Sequence, residues 1–321
     1  MTGGSVSGRF ENLMKRILVA AVAIPVIVLA ALWGSYWFFA FVTLISSLSL
    51  YEFYGLMRRK GAYPLVSLGM LTGFLVNMTF IYERLQIEVY HFFLNYGFSL
   101  RMFSQLQLLL VVEILFVLTV LLIELFRTKG SVSLNIAATL AGVMIISLSF
   151  GVLVRLRELF PFGFPVHQFM GSTFANGDQL RQIDLWGGFT VISLFVSIWI
   201  CDTAAYFAGR TLGKHKLFLR VSPGKTWEGA AAGLFGSVAT MLLAQHFFLG
   251  YLSMTHALVL GTFVGVFGQM GDLVESRFKR DAEVKDSSSL IPGHGGVYDR
   301  FDSLVFVAPI AYLYIDFVVL S

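Results

Sequence analysis

Nine apolar runs, most of about twenty residues, decide what this chain can fold into. They fall at 17–33, 36–54, 65–82, 106–126, 133–154, 185–208, 229–250, 255–274 and 303–320. A run of roughly 20 such residues is long enough to cross the hydrocarbon of a bilayer. A lone segment in lipid satisfies its own backbone hydrogen bonds only as a helix. Composition agrees: 57% of the 321 residues are apolar and 13% are charged, against roughly 25% charged in soluble domains. The mean hydropathy is +0.77. A soluble enzyme, a disordered chain and a coiled coil are all excluded. The expected fold class is an all-α polytopic membrane protein with about nine transmembrane helices. The single cysteine, Cys201, rules out an intrachain disulfide or a cysteine-based metal site.

Lys15 and Arg16 precede the first run as they would in a signal peptide, but the run is long and a second follows after only Gly34 and Ser35. A retained helical hairpin is therefore expected. With the N-terminus in the cytoplasm, 18 of the 23 Lys and Arg residues lie inside, and only Arg84, Arg101, Arg155, Arg157 and Arg181 lie outside. This satisfies the positive-inside rule and puts the C-terminus outside. Two regions follow. Residues 1–184 form an N-terminal bundle with sparse charge, and residues 185–321 form a C-terminal region with cytoplasmic loops at 209–228 and 276–302. Nine of the 19 acids lie within 202–302. The external stretches 83–105 and 158–184 carry no readable motif. Glu113, Glu124 and Asp316 lie in apolar runs and receive no role.

The loop SRFKRDAEVKDSSSLIPGHGGVYDRFD, residues 276–302, is polar between two apolar helices. It mixes the cations Lys279, Arg280 and Lys285 with the carboxylates Asp286, Asp299 and Asp302, and it sets Gly293, Gly295 and Gly296 around His294. Mg²⁺ takes carboxylate and phosphate oxygens together, Lys and Arg neutralise further phosphate charge, and glycines let backbone approach a phosphate. Asp299 and Asp302 are three residues apart, as are Asp272 and Glu275. Each pair shares one helix face, so a joint metal site at two helix ends is geometrically reasonable. The plainer readings are that Asp299 caps the last helix and that the acid pair in GQMGDLVES (268–276) serves ion transport.

In the second segment, residues 202–229, Asp202 sits near the end of an apolar helix, where burying a carboxylate points to function or to a partner such as Arg210. The cluster Arg210, Lys214, His215, Lys216 and Arg220 fits a topology signal or an acidic-lipid contact. SPGKTWEG (222–229) contains Gly-Lys-Thr but is not a Walker loop, because Leu219 stands where that pattern needs glycine and no strand is expected before it. Lys225 is a candidate phosphate ligand. Glu228 opens the seventh run as a cap or a metal ligand.

Residues 276–302 resemble the signature of phosphatidate cytidylyltransferases, the CDP-diacylglycerol synthases. Ser276, Lys279, Arg280, Lys285, Asp286, His294, Gly295, Gly296, Asp299, Arg300 and Asp302 fill its fixed positions. DTAAYFAGR, SPGKTWEG and GQMGDLVES are similar to the same family, so the specific resemblance covers roughly 200–305. It implies that CTP and phosphatidic acid give CDP-diacylglycerol and pyrophosphate, with Mg²⁺ as cofactor, as one ion or two. It also implies a homodimer with no nucleic-acid partner, in a bacterial inner membrane with the active site facing the cytoplasm. Under that resemblance Asp272, Glu275, Asp299 and Asp302 are expected at the metal, with Asp202 and Asp286 as further ligands or supports. Lys225, Lys279, Arg280 and Lys285 would hold phosphates. Ser222, Thr226, Glu228, Gly295, Gly296 and Arg300 are expected at the substrates, and His294 near the nucleotide. An anion transporter, a CDP-alcohol phosphotransferase and a lipid-binding scaffold fit less well. The charges sit on one face rather than at the midplane, and no Asp-Gly-x-x-Ala-Arg run occurs.

Overall fold

The computed structural model describes residues 6–96, 103–160, 177–291, 293 and 295–320. The described residues form nine helices and one small hairpin: α1 (Val6–Trp33), α2 (Ser35–Arg59), α3 (Val66–Asn95), α4 (Gln105–Phe126), α5 (Val132–Arg157), α6 (Gly177–Thr211), β1 (Lys216–Phe218), β2 (Ser222–Thr226), α7 (Trp227–Phe247), α8 (Met254–Asp281) and α9 (Tyr298–Val319). Among the described residues eight helices are long and apolar enough to cross a membrane, and α1 adds a shorter apolar segment, Ile17–Trp33. The protein is an all-α polytopic membrane protein, as its apolar runs require.

Several elements run past their expected ends. Helix α3 continues from 82 to Asn95, because 83–95 contains neither glycine nor proline and its charges find partners. Arg155 Nη1 donates to Glu83 at 2.5 Å, Arg84 to Glu158 at 3.0 Å, and the Tyr36 hydroxyl to Glu88 at 2.7 Å. Helix α8 continues to Asp281 and α9 starts at Tyr298, so much of the expected 276–302 loop is helical. A strand is present where none was expected. Pro223 and Gly224 disfavour a helix, and Ser222–Thr226 instead pairs antiparallel with Lys216–Phe218, with Lys216 opposite Thr226 and Phe218 opposite Ser222.

Helix α5 runs through the middle of the bundle. It includes a π turn at Val143–Ser147, and Ile146, Phe150, Leu153 and Leu156 are buried on it. It packs on α2, α3, α6 and α9, which ties the two expected regions into one core. Helix α4 lies outermost, with Leu118, Leu121, Leu122, Leu125 and Phe126 exposed, as suits a lipid-facing helix. The α1–α2 break at Gly34 has φ +63°. A side chain there would collide with the guanidinium of Arg157.

Small residues bring the last four helices close, as is common in membranes. Gly229 and Gly233 of α7 lie on the backbone carbonyls of Ala205 and Cys201 in α6. Gly261 and Gly265 of α8 lie on the α7 backbone at Val238 and Leu234, and Gly271 lies on the α9 backbone at Asp302 and Ser303. The last contact sets the site: with no Cβ at 271, Asp302 approaches its neighbour in sequence, Asp272.

Candidate active site

At one end of the α6–α9 bundle a cavity of about 720 Å³ opens between α6, the hairpin, α7, α8 and α9. That is within the roughly 300–1,000 Å³ usual for small-molecule sites. Five carboxylates (Asp202, Asp272, Asp286, Asp299, Asp302) and five cations (Arg210, Lys216, Lys225, Lys279, Arg300) line it among the described residues. Acids and bases mixed in such numbers fit a ligand of phosphates with a cation better than a simple anion.

Asp272, Glu275 and Asp302 each bring a carboxylate oxygen within 4.8 Å of the others. Asp272 and Glu275 follow from their spacing on α8, and Asp302 arrives through the Gly271 contact. Glu275 is 1% exposed, and both its oxygens are buried without a hydrogen-bond donor. Lys279 Nζ lies 2.5 Å from Glu275 Oε2 as an ion pair, but outside hydrogen-bond geometry. Three hard oxygen donors within reach of one another, one of them buried beside a single ammonium, fit a divalent cation of the Mg²⁺ type.

The cations are placed around this trio. Lys225 Nζ is 2.8 Å from Asp272 Oδ2. Lys279 donates to Asp299 Oδ1 at 2.7 Å. Asp299 also accepts from Ser287 N at 2.9 Å, Ser287 Oγ at 3.0 Å and Gly296 N at 2.7 Å. Its side chain is 4% exposed; it lies beside Glu275, sharing Lys279 with it, and also serves the start of α9 and the turn before it. Ser276 Oγ donates to Asp272 Oδ1 at 3.2 Å.

Of the other residues singled out in the sequence, Asp202, Ser222, Lys225, Thr226, Asp286 and Arg300 line the cavity. Thr226 also caps α7, accepting from Gly229 N at 3.2 Å. Gly295, at φ +82°, packs on Asp299 and Asp286, and Gly296 on Ser287 and Glu52. Glu275, Gly295 and Gly296 pack behind the lining, and Arg280, Lys285 and Glu228 also stand outside it. Arg280 donates to the carbonyls of Val221 and Val284 at 3.4 and 3.0 Å, tying the hairpin to the end of α8. Lys285 is exposed. Glu228 accepts from His215 N and lies 2.6 Å from the His215 ring, closing the hairpin. His294 lies outside the described residues.

Arg210 and Lys216, read from the sequence as a topology signal or a lipid contact, join the lining, and one residue outside the C-terminal region was missed. Glu52 of α2 reaches the 287–298 turn from the N-terminal bundle and accepts four hydrogen bonds there. Its signal was a lone acid inside an apolar run, between Tyr51 and Phe53.

The cytidylyltransferase family model matches residues 14–318, nearly the whole chain. The chain belongs to this family. It is similar to the phosphatidate cytidylyltransferase of Bacillus subtilis, 43% identical over 147 residues, which is 45% of this chain and 54% of the relative. The phosphatidate cytidylyltransferase of Staphylococcus epidermidis is 45% identical over 120 residues, 37% of this chain and 46% of its own. That of Haemophilus influenzae is 44% identical over 127 residues, 38% of this chain and 44% of its own. The chain thus spans about half the length of the curated relatives it matches.

Proposed function

We propose that this protein is a membrane nucleotidyltransferase that joins CTP to phosphatidate, giving CDP-diacylglycerol and pyrophosphate. The observation that carries this reading is the convergence of Asp272, Glu275 and Asp302 beside Lys225 and Lys279, in a cavity at the end of a membrane bundle. An oxygen of the lipid phosphate attacks the α-phosphorus of CTP, and the bond from that phosphorus to the β-phosphate oxygen breaks. Pyrophosphate leaves, and no proton needs to be removed from the nucleophile. The barrier is charge crowding, so catalysis is positioning and neutralisation.

Lys225, Lys279 and Arg300 would hold nucleotide and lipid phosphates. Asp272, Glu275 and Asp302 would hold one Mg²⁺ or two, with Asp202 and Asp286 nearby. When bound, such an ion supplies positive charge to the phosphate oxygens and orients the triphosphate. Asp299 would keep Lys279 aimed into the cavity. The charge bias supports a cytoplasmic N-terminus and a cavity on that side, where CTP is available, and the bacterial relatives favour an inner membrane.

The test uses purified protein with labelled CTP, phosphatidate and Mg²⁺. Labelled lipid and released pyrophosphate are expected, and both should vanish with EDTA or without phosphatidate. A folded sample that neither forms product nor binds CTP would overturn the reading.

A further inference from the structure

The loop between α8 and α9 carries Asp286 into the cavity, yet its base is held from outside the C-terminal region. Glu52 of α2 is 4% exposed. Its Oε2 accepts from Ser287 Oγ at 2.9 Å and Tyr298 N at 2.8 Å, and its Oε1 accepts from Ser288 Oγ at 2.6 Å and Val297 N at 3.0 Å. Two donors belong to the arm leaving α8 and two to the arm entering α9. One carboxylate therefore closes the loop at its neck. Val297 N and Tyr298 N lie at the N-cap and first residue of α9, where N–H groups have no partner within the helix and favour an anion.

The four donors at its two oxygens explain why glutamate stands here. A carboxylate offers about four acceptor sites on two oxygens, while a glutamine carbonyl offers two and its amide would face an N–H group. Ser287 Oγ also lies 3.0 Å from Asp299 Oδ2, so its one proton is shared between Glu52 and Asp299. Asp299 in turn accepts from Lys279. Gly296 permits this close approach, because a Cβ there would overlap Ser287 Oγ and Glu52 Oε2.

We infer that Glu52 is a positioning residue for the cavity, acting through the 287–298 turn to set where α9 begins, and so where Asp299 and Asp302 stand against α8. This rests on the reading of the cavity as the nucleotide site. Glu52 is not among the residues that line the cavity. It does to the turn what a carboxylate behind a ligand does to that ligand.

The experiment pairs kinetics with amide hydrogen exchange on the full-length protein in detergent, for wild type, Glu52→Gln, Ser288→Ala and the double variant. Glu52→Gln is expected to lower kcat/KM for CTP by roughly tenfold to a hundredfold, the usual cost of losing such a support, with the KM for phosphatidate within about twofold. Exchange should quicken at 286–298 and stay unchanged in α3, α4 and α7. Ser288→Ala should cost activity in the wild-type background and nothing further beside Glu52→Gln. Wild-type kinetics in Glu52→Gln would overturn the inference, as would exchange that quickens throughout the chain, since that is loss of fold rather than of position. Should Glu52→Gln fail to fold, Ser288→Ala removes a single bond and is read in the same way. The exchange arm needs no turnover. A wild-type protein that makes no product while exchange responds as expected would therefore fault the reaction and not the hold on the turn.

Discussion

In the N-terminal bundle, Arg157 is 2% exposed and fully engaged. It donates to Ala31 O at 2.6 Å, Leu32 O at 3.4 Å and both carboxylate oxygens of Asp184 at 3.2 and 3.0 Å, clasping α1, α5 and α6. Glu124, also buried, takes Arg127 at 2.7 Å and Asn135 at 3.0 Å. In the C-terminal region, Asp272, Glu275 and Asp302 converge while Lys279 divides its charge between Glu275 and Asp299. In the first pattern Arg157 and Glu124 each have dedicated partners and make joints between helices, whereas Glu113 of α4 has one carboxylate oxygen buried and unpartnered among the described residues. The second leaves acids facing one another, which an inert core avoids because like charges destabilise each other. An intramembrane acid is thus informative where several converge on one another, as Asp272, Glu275 and Asp302 do, rather than through its presence alone.

The largest expected effect breaks the second pattern. Asp302→Ala should lower product formation by roughly 10²–10³-fold, the scale of losing one preorganised charge-stabilising group. Its melting midpoint in detergent should be unchanged or higher, since repulsion is relieved. Initial rates and a thermal melt check this, and near-wild-type activity would reduce the trio to a static cluster.

Arg157→Met attacks the first pattern and should do the reverse. Leaving Asp184 and two carbonyls without their donor should cost about 3 kcal/mol and lower the melting midpoint by several degrees, while kcat per folded molecule holds. A large loss of kcat with an unchanged melt would erase the distinction between the halves.

Lys225→Met should raise the KM for CTP by roughly tenfold or more, since a hydrogen bond to a charged group contributes about 1.5–3 kcal/mol. A steady-state CTP titration shows it. The smallest change is expected for Glu228→Gln. Glu228 faces His215 on the hairpin rather than the cavity, so activity should stay within about threefold of wild type, as for other surface polar contacts. A collapse of activity there would move Glu228 to the site, where the sequence alone had placed it.

The apolar runs were legible because the demand they answer is local: each segment in lipid must satisfy its own backbone, so hydropathy and length settle it. The spacing of Asp272 with Glu275 and of Asp299 with Asp302 was legible for the same reason, since helical periodicity puts residues three apart on one face. Helix ends were less so. Helices α3 and α8 ran on past their apolar runs because their polar residues found partners on other helices. Glu228 could be read as a cap or a ligand and Arg280 as a phosphate ligand, and in the structure both make contacts to the hairpin that residue type alone does not foretell.

What the sequence determined by itself is the membrane class, nearly all the spans and the segments bearing the chemistry, because these depend on residues close in the chain. Only the tertiary structure decided that Glu275 joins Asp272 and Asp302 while Asp299 turns to Lys279 and the start of α9. It also decided that Glu52, more than two hundred residues from the turn it holds, belongs to the same assembly. Which faces meet depends on small residues such as Gly271 that let one backbone reach another, and that pairing is a property of two helices at once.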